Sequence, residues 1–190
     1  METEKRPRPA IEDTEIEGVK VIYPKIFPDN RGFFSETYNV DEWRDIIGFT
    51  EPMTQDNHSW SHYGVLRGLH AQPKMGKLVS VVTGSIYDVA VDARPGSKTF
   101  GQHVGIHLDD KQKKAFWVPP GFMHGFQVTS KEGAHVYYKC SATYDSKTEF
   151  GCNPTDPDLK IQWPDEANAI ISDKDKAAPA LKDLGEKLNQ

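Results

Sequence analysis

The stretch of residues 64–94 constrains the fold more than any other part of the chain. It contains runs rich in Val, Ile and Tyr that are bounded by turn residues, a pattern typical of β-strands. We predict three strands here, and the first of them carries Arg67 and His70. The second and third are predicted to form a hairpin at Gly84-Ser85, because Gly-Ser is a usable two-residue hairpin turn.

Short strands are predicted along most of the remaining chain. They are Gly18 to Phe27, Phe33 to Tyr38, Gln55 to Trp60, Gly101 to Leu108, Phe116 to Val118, His124 to Val128 and Ala134 to Thr143. One short helix is predicted from Asn39 to Gly48, with Val40, Trp43 and Ile47 on one face. Many short strands broken by Gly and Pro turns favour an all-β barrel or sandwich over alternating βαβ units.

Length and composition predict a single domain. A chain of 190 residues can bury one core, and we place the domain at residues 17–181. Residues 1–16 mix charge with proline and have little to bury, so they are predicted to be a disordered tail. Residues 182–190 are predicted to be a C-terminal tail, after a segment from Pro164 onward that covers the barrel.

Charge and cysteine content exclude several classes of protein. The formal net charge of -5 argues against a nucleic-acid binder, which would show a basic surplus. Cys140 and Cys152 form neither a disulfide framework nor a zinc ribbon, so buried thiols are the simpler interpretation. Neither a signal peptide nor a membrane span is predicted, which indicates a reducing, cytoplasmic location.

Two spaced motifs resemble those of the cupins, small jelly-roll β-barrels that usually hold a metal. The first cupin motif runs Gly, five residues, His, one residue, His, four residues, Glu, six residues, Gly. Gly64, His70 and Gly84 fit this frame, but Gln72 replaces the second His and Lys77 replaces the Glu. The second motif is matched by the Pro, Gly and His of the segment 119–124.

The residue at the Glu position argues against a metal. A divalent cation in such a barrel needs imidazoles and a carboxylate, whereas Lys77 places a positive charge beside the cation's position. A barrel interior lined by His, Arg and Lys suits an anion, particularly one that forms during a reaction. We therefore expect a catalytic pocket that works without metal or other cofactor.

Longer runs of the sequence resemble a particular family within this barrel class, the sugar-nucleotide 3,5-epimerases that act on dTDP-4-dehydro-6-deoxyglucose in rhamnose biosynthesis. The runs that carry the resemblance are FPDNRGFFSETYN, QDNHS, GVLRGLH, GKLV, DVAVDAR, TFGQ, IHL, PPGFMHGF, YYK, IQWP and SDKDKAAP. They follow the family's order from about residue 18 to residue 181. The combination of GVLRGLH, GKLV and GFMHGF is specific.

Inversion of a carbon beside a ketone requires proton removal from one face, stabilisation of an enolate and protonation of the other face. His70 is the candidate base, because a neutral imidazole is suited to this role near pH 7. Lys77 and Arg67 can stabilise the enolate oxygen. The resemblance implies that Tyr138 is the acid and that Asp175 is the carboxylate behind His70.

Two questions about these residues are open from sequence. Asp88, on a strand of the central stretch, is a local rival of Asp175 for the position behind His70. Arg67 and His70 are three residues apart, so a regular strand would direct them to opposite faces. A bulge or kink at Gly68 would bring both side chains inward.

The resemblance also implies a binding site for the nucleotide, which we expect to be dTDP or UDP. Its implied residues are Phe27, Arg31, Glu36, Gln55, Asn57 and His124. Arg31 could pair with a phosphate in a fork, and the two amides could bind sugar or base edges. A homodimer and a functional link to a 4-dehydrorhamnose reductase are also implied.

Two departures from the family's pattern bear on the pocket. Ala71 follows His70 where many relatives have Tyr or Phe, which predicts a roomier pocket floor. The run EFGCNPTDP lacks the Trp that often precedes its Asp, which affects the contacts expected with the base.

Three alternatives to the double epimerase are open from sequence. A 3-epimerase or a 3,4-ketoisomerase would act on the same substrate class with the same barrel and base. A non-catalytic sugar-nucleotide-binding cupin would keep the pocket without turnover, although binding alone does not call for a base, an acid and enolate-stabilising residues together. A metal-dependent cupin oxygenase is the third alternative, and metal analysis of the purified protein would test it.

Overall fold

A computed structural model describes residues 8–185 of the chain. Fourteen strands are present in this part: β1 (Ala10–Asp13), β2 (Lys20–Tyr23), β3 (Ile26–Asp29), β4 (Gly32–Ser35), β5 (Gln55–Ser61), β6 (Val65–Ala71), β7 (Lys77–Thr83), β8 (Ser85–Asp92), β9 (His103–Asp109), β10 (Ala115–Val118), β11 (Phe122–Val128), β12 (Ala134–Cys140), β13 (Phe150–Gly151) and β14 (Ile170–Ile171). Two short helices, α1 (Val40–Ile47) and α2 (Asp173–Lys176), flank them.

Most of the strands form two sheets that face each other. The first sheet has the order β1-β2-β10-β7-β12-β5, and the second has the order β13-β6-β11-β8-β9. The short strand β14 joins the second sheet by parallel pairing with β6. Strands β3 and β4 form a separate hairpin. The chain is a cupin-like jelly roll, as predicted.

The core lies between the two sheets because their inward faces are apolar. Val79, Phe116 and Val136 of the first sheet pack with Ile86 and Phe126 of the second. Strand β8 alternates accordingly, with Ala90 inside the barrel and its neighbours Val89 and Val91 on the outer face. This alternation gives each sheet strand one interior row of side chains, and those rows later supply the site.

The outer face of the second sheet is covered by the C-terminal part of the chain. Leu159, Trp163, Leu181 and Leu184 pack there against residues such as Met123. The prediction that the segment after Pro164 covers the barrel is confirmed. The predicted boundary of the C-terminal tail at residue 182 differs from the structure, because Leu184 is buried.

Helix α1 covers part of the first sheet and begins and ends as predicted. The Asn39 side chain accepts a hydrogen bond from the amide of Asp41, and Gly48 ends the helix with a φ of 66°. Trp43 and Ile47 are buried against the outer face of the sheet, as predicted. Val40 is exposed instead of buried, and Ile46 takes its place on the packed face.

Two further predictions about the chain differ from the structure. The strands on either side of Gly84 do not form a hairpin, because β7 pairs with β10 and β12 whereas β8 pairs with β9 and β11. Gly84, with a φ of 85°, instead carries the chain from one sheet to the other.

The predicted N-terminal tail is partly ordered. Residues 10–13 form β1 on the edge of the first sheet, and Ile16 is fully buried in the core. Residues 1–7 of that predicted tail lie outside the described residues. None of the helices within residues 8–185 is long and apolar enough to span a membrane.

A buried carboxylate closes the turn that follows β8. Asp92 accepts hydrogen bonds from the backbone and side chain of Arg94 and from the hydroxyls of Ser97 and Thr99. Burial alone would raise the pKa of this carboxyl, but the donors outweigh that effect and lower the pKa to about 2. The ionised carboxylate of Asp92 therefore stabilises this turn in the folded protein.

We expect Asp92→Asn to reduce stability at neutral pH by about 2 kcal/mol, because the pKa of Asp92 falls from 3.8 to about 2 on folding. The contribution of a lowered carboxyl pKa is complete above the unfolded value and is lost as the pH falls through the folded value. The difference between the two proteins should therefore shrink between about pH 4 and pH 2. Urea unfolding over this range is the measurement, and a difference that stayed constant with pH would contradict the assignment.

Candidate active site

A cavity of about 460 Å³ opens between the two sheets at one end of the barrel. Both sheets and the C-terminal segment contribute to its wall. Its polar lining residues are Ser59, Arg67, His70, Lys77, His124, Tyr138, Ser172, Lys174 and Asp175. The cavity thus brings together all five residues that were predicted to be catalytic.

An irregularity in β6 directs Arg67 and His70 to the same side. His124 of β11 lies opposite His70, and Phe126 lies opposite Arg67, so two steps along β11 match three along β6. The extra residue in β6 forms a bulge, and the side chains of Arg67 and His70 therefore both point into the cavity. Gly68 has a φ of 125°, and a Cβ there would lie 2.6 Å from Cα of Gly125. The predicted kink at Gly68 is confirmed.

His70 forms a short hydrogen bond with a buried carboxylate. Its Nε2 lies 2.6 Å from Oδ1 of Asp175, whose side chain is only 7 % exposed while that of His70 is 34 % exposed. The backbone N–H of Gly68 donates to the other carboxylate oxygen at 3.4 Å. With Nε2–H donating to Asp175, Nδ1 of His70 keeps its lone pair for a ligand. The pair has the form of a base with a carboxylate that orients it.

The C-terminal segment carries Asp175 to this position. Strand β14 pairs in parallel with the first half of β6, and Ser172 then caps α2 by accepting from the amide of Asp175. Asp175 follows β14 by four residues, so the parallel pairing fixes the carboxylate beside the strand that bears His70. Sequence spacing alone could not have placed them together, because 105 residues separate them.

Lys77, on β7 of the first sheet, forms a hydrogen bond to β6 of the second sheet beside the cavity. Its ammonium donates to the backbone carbonyl of His70 at 3.0 Å, and the side chain is buried. Burial lowers the pKa of this ammonium, while nearby acidic groups oppose that effect. Arg67 adds a second cation, whose Nε donates to Oγ of Ser61. The cavity therefore presents positive charge in a shielded place.

Tyr138 faces the cavity from the first sheet, whereas His70 faces it from the second. Tyr138 lies on β12, between Asn57 of β5 and Val79 of β7. Burial raises the pKa of its phenol, so the hydroxyl keeps its proton at neutral pH. A molecule in the cavity is thereby flanked by an imidazole and a phenol from opposite sheets.

A smaller cavity of about 110 Å³ adjoins the first and contains the two predicted amides. Gln55 donates to Asn57 at 3.0 Å, and Asn57 donates to Sγ of Cys140. The amide of Tyr144 donates to Gln55, which holds the loop after β12 over this cavity. Ala71 is part of the wall, where the sequence predicts extra room.

Three residues of the cavities were missed from the sequence. Lys174 forms an ion pair with Glu149 at 2.6 Å, and the hydroxyl of Tyr144 donates to the same carboxylate. Each looks like an ordinary surface residue in the sequence. The one feature of the sequence that could have indicated a site residue was the position of Lys174 directly before Asp175.

Phe27, Arg31 and Glu36 do not line any of these cavities. Phe27 lies on the β3–β4 hairpin and Arg31 in its turn, where the Arg31 guanidinium pairs with Asp29 and is largely exposed. Glu36 directly follows β4. The roles predicted for these three residues in nucleotide binding remain predictions.

Asp88 is not the carboxylate behind His70. Its Oδ1 lies 2.6 Å from Nε2 of His124, on the adjacent strand, and both side chains are buried. The local rival from the sequence is therefore wrong, because strand pairing places Asp88 beside β11. His124 itself lines the main cavity, as predicted.

The two cysteines are buried and free, as predicted. Within residues 8–185, no group of three or more His, Cys, Asp or Glu side chains is arranged to hold a metal ion. The prediction of a metal-free site remains a prediction.

A jelly roll with a His–Asp pair, a shielded lysine and a phenol on opposite walls of one cavity belongs to the cupin-like class. Within that class, residues 13–183 match the family model described as dTDP-4-dehydrorhamnose 3,5-epimerase. The chain belongs to this family.

Individual relatives agree with that assignment. The chain is 45% identical to the Shigella flexneri dTDP-4-dehydrorhamnose 3,5-epimerase over 165 residues, which cover 85% of this chain and 90% of that protein. The Methanothermobacter thermautotrophicus protein of the same name is 41% identical, with 90% and 93% covered.

Solved structures of relatives share the fold. A Legionella pneumophila 3,5-epimerase in complex with dTDP-4-keto-L-rhamnose superposes with a TM-score of 0.91 at 45% identity, covering 95% of this chain and 97% of that chain. A 3'-monoepimerase from Streptomyces bikiniensis in complex with dTDP-quinovose gives a TM-score of 0.85 at 35% identity, with 93% and 89% covered.

We expect Gly68→Ala to disrupt the site, because its Cβ would collide with the backbone of Gly125. Turnover should fall roughly 100-fold or more, as displacement of a reacting group by about 1 Å can cost that much. Stability should fall by about 2 kcal/mol or more. Thermal unfolding and turnover are the measurements.

Gly96→Ala is the matched control. Gly96 also has a positive φ, of 75°, but no atom lies within 4 Å of the added Cβ. This variant should show only the modest cost of the backbone conformation, about 1 kcal/mol, with unchanged turnover. Equal turnover in both variants would contradict the role given to the bulge.

Proposed function

We propose that the chain inverts carbons 3 and 5 of a nucleotide-linked 4-dehydro-6-deoxyglucose, with dTDP as the nucleotide. The observation that carries this proposal is that His70 and Tyr138 face one cavity from opposite sheets, and that Lys77 lines the same cavity. Epimerisation needs a base on one face of a carbon and an acid on the other. A binding protein would need neither.

In this proposal Nδ1 of His70 removes the proton from the carbon beside the keto group. The Asp175 carboxylate holds the ring through Nε2 and stabilises the imidazolium that forms. The electrons of the C–H bond form a C=C bond to the carbonyl carbon, and the carbonyl π electrons move onto the keto oxygen to give an enolate. Repetition of the same steps at the other carbon beside the ketone accounts for inversion at both positions.

The enolate is stabilised by Lys77 and Arg67, which both line the cavity. Lys77 is buried, so its charge acts on a developing oxyanion with little screening by water. Arg67 supplies additional hydrogen-bond donors at the wall. Tyr138 then delivers its phenolic proton to the opposite face of the carbon, a role that its raised pKa permits at neutral pH.

The diphosphate and nucleoside are proposed to extend from the main cavity into the smaller one. Lys174, which is paired with Glu149, brings a positive charge to the wall of the main cavity. Gln55 and Asn57 in the smaller cavity offer amides for the sugar or base. His124 contacts the sugar from the second sheet. These roles follow from the chemistry of the side chains and their positions.

We also propose a homodimer. The β3–β4 hairpin leaves Phe27, Phe33 and Phe34 exposed, and a second copy of the chain would cover this apolar surface. In that arrangement Phe27, Arg31 and Glu36 would serve the partner's nucleotide site rather than a cavity of their own chain. Light scattering of the purified protein tests the mass, and a value near 21.4 kDa would contradict the dimer.

The product of this reaction keeps its keto group. A reductase that consumes this ketone is therefore a proposed functional partner. Two free, buried thiols fit a reducing compartment, and we propose the cytoplasm.

A single epimerisation at carbon 3 is the second candidate function. The specific observation in its favour is the likeness to the Streptomyces bikiniensis 3'-monoepimerase, which shares the fold at a TM-score of 0.85. The fold alone therefore does not distinguish one inversion from two.

Turnover in heavy water tests both candidates. Incubation with dTDP-4-dehydro-6-deoxyglucose, without a reductase, should place deuterium at carbons 3 and 5, as measured by mass spectrometry and proton NMR. Label at carbon 3 alone would favour the single epimerase. Tight binding without any label would overturn the proposed chemistry.

Two variants separate the base from the acid. His70→Asn should abolish labelling, because no proton is removed. Tyr138→Phe should retain label exchange at the substrate carbons while inversion falls roughly 100-fold or more, because deprotonation no longer leads to reprotonation on the other face. Unchanged turnover by His70→Asn would show that the base is a different residue.

A further inference from the structure

A second His–Asp pair lies inside the barrel beside the first. Asp88 is on β8 and His124 on β11, and their side chains are 0 % and 6 % exposed. Nε2 of His124 lies 2.6 Å from Oδ1 of Asp88. The other carboxylate oxygen, Oδ2, has no hydrogen-bond partner within residues 8–185. The mechanism above makes no use of Asp88.

A carboxylate in this position is unfavourable for the fold alone. Its interior neighbours along the strand are apolar, and a buried charge with one unpartnered oxygen is costly compared with a packed apolar side chain. Asp88 does not line the main cavity, so its charge can affect a ligand only through neighbouring groups. Asp88 is hydrogen-bonded to His124, and its charge also acts on the nearby ammonium of Lys77. Of these two cavity residues, only His124 is in direct contact with the carboxylate.

His124 lies in the main cavity beside residues that the proposed mechanism uses. It lines the cavity with Lys77 and Tyr138, and its ring centre is 6.3 Å from that of Tyr138. It also lies directly opposite His70 in the strand register. Because Nε2 is engaged by Asp88, only Nδ1 of His124 can bind a ligand.

We propose that Asp88 is a positioning residue that holds His124 as an imidazolium, with Nδ1–H directed to the keto oxygen at carbon 4. A carboxylate behind an imidazole orients the ring and favours its protonated form. His124 and Lys77 then stabilise the enolate together, while His70 and Tyr138 transfer the protons. The inference rests on the proposed epimerase function.

Kinetics of Asp88→Asn provide the first test. Asparagine keeps the shape and can still accept from Nε2, but it removes the charge. We expect kcat to fall roughly 10- to 100-fold with KM changed less than about threefold, because the enolate and not the bound ketone loses stabilisation. In a His124→Gln background the same substitution should have no further effect. An equal loss in both backgrounds would overturn the proposal.

Asp92→Asn is the matched control, since it also removes a buried carboxylate from β8. Asp92 serves the turn after the strand and contacts no cavity residue in its hydrogen bonds. The kcat of the Asp92→Asn variant should equal that of the unaltered protein at temperatures below the unfolding transition. A kcat loss equal to that of Asp88→Asn would mean that a general weakening of β8, and not His124, explains the effect.

A spectroscopic test does not depend on turnover. Nitrogen-15 NMR of histidine-labelled protein with bound dTDP reports the protonation of each ring, and the His124 signals are identified by their absence in His124→Gln. Both ring nitrogens should carry protons in the unaltered protein, and Asp88→Asn should convert the ring to its neutral form. A neutral His124 ring in the unaltered protein would overturn the proposal, whether or not epimerisation is observed.

Discussion

One extra residue in strand β6 determines whether this barrel has a site at all. Without the bulge at Gly68, strict alternation would direct either Arg67 or His70 away from the cavity. The bulge is possible because Gly68 and Gly125 meet across the strands where a Cβ on either would collide with backbone. The close approach of two glycines is thus the constraint on which the remaining geometry depends.

The same strand organises the C-terminal part of the chain. Its free edge is shared by β13 and β14, which pair with its two halves. Apolar packing of the C-terminal segment on the second sheet keeps β14 in place, and α2 then presents Asp175 to His70. The position of the Asp175 carboxylate therefore depends on apolar side chains of the C-terminal segment that are buried at some distance from the cavity. Burial of this area is favourable regardless of the chemistry, so the pair is preformed.

The sequence predicted local features well and non-local ones poorly. Alternating apolar residues identified most strands, and Asn39 and Gly48 identified the ends of α1, because these signals act over a few residues. The hairpin at Gly84 was wrong, since nothing local tells whether two strands pair with each other or with distant ones. The same reason explains why the sequence left Asp88 open as a rival of Asp175, since the partner of Asp88 depends on the β8–β11 pairing. Asp175 was found by resemblance, because no rule of spacing links it to His70.

The two His–Asp pairs contain the same chemical groups but differ in burial. His70 and His124 lie opposite each other on adjacent strands, and each has a carboxylate on Nε2. His70 is one-third exposed, so it can exchange a proton with a ligand or with solvent, as the proposed role of base requires. His124 is buried with its carboxylate, so a charge on this pair would be little screened by water. A desolvated pair of this kind is suited to stabilising a charge, and an accessible one is suited to moving a proton.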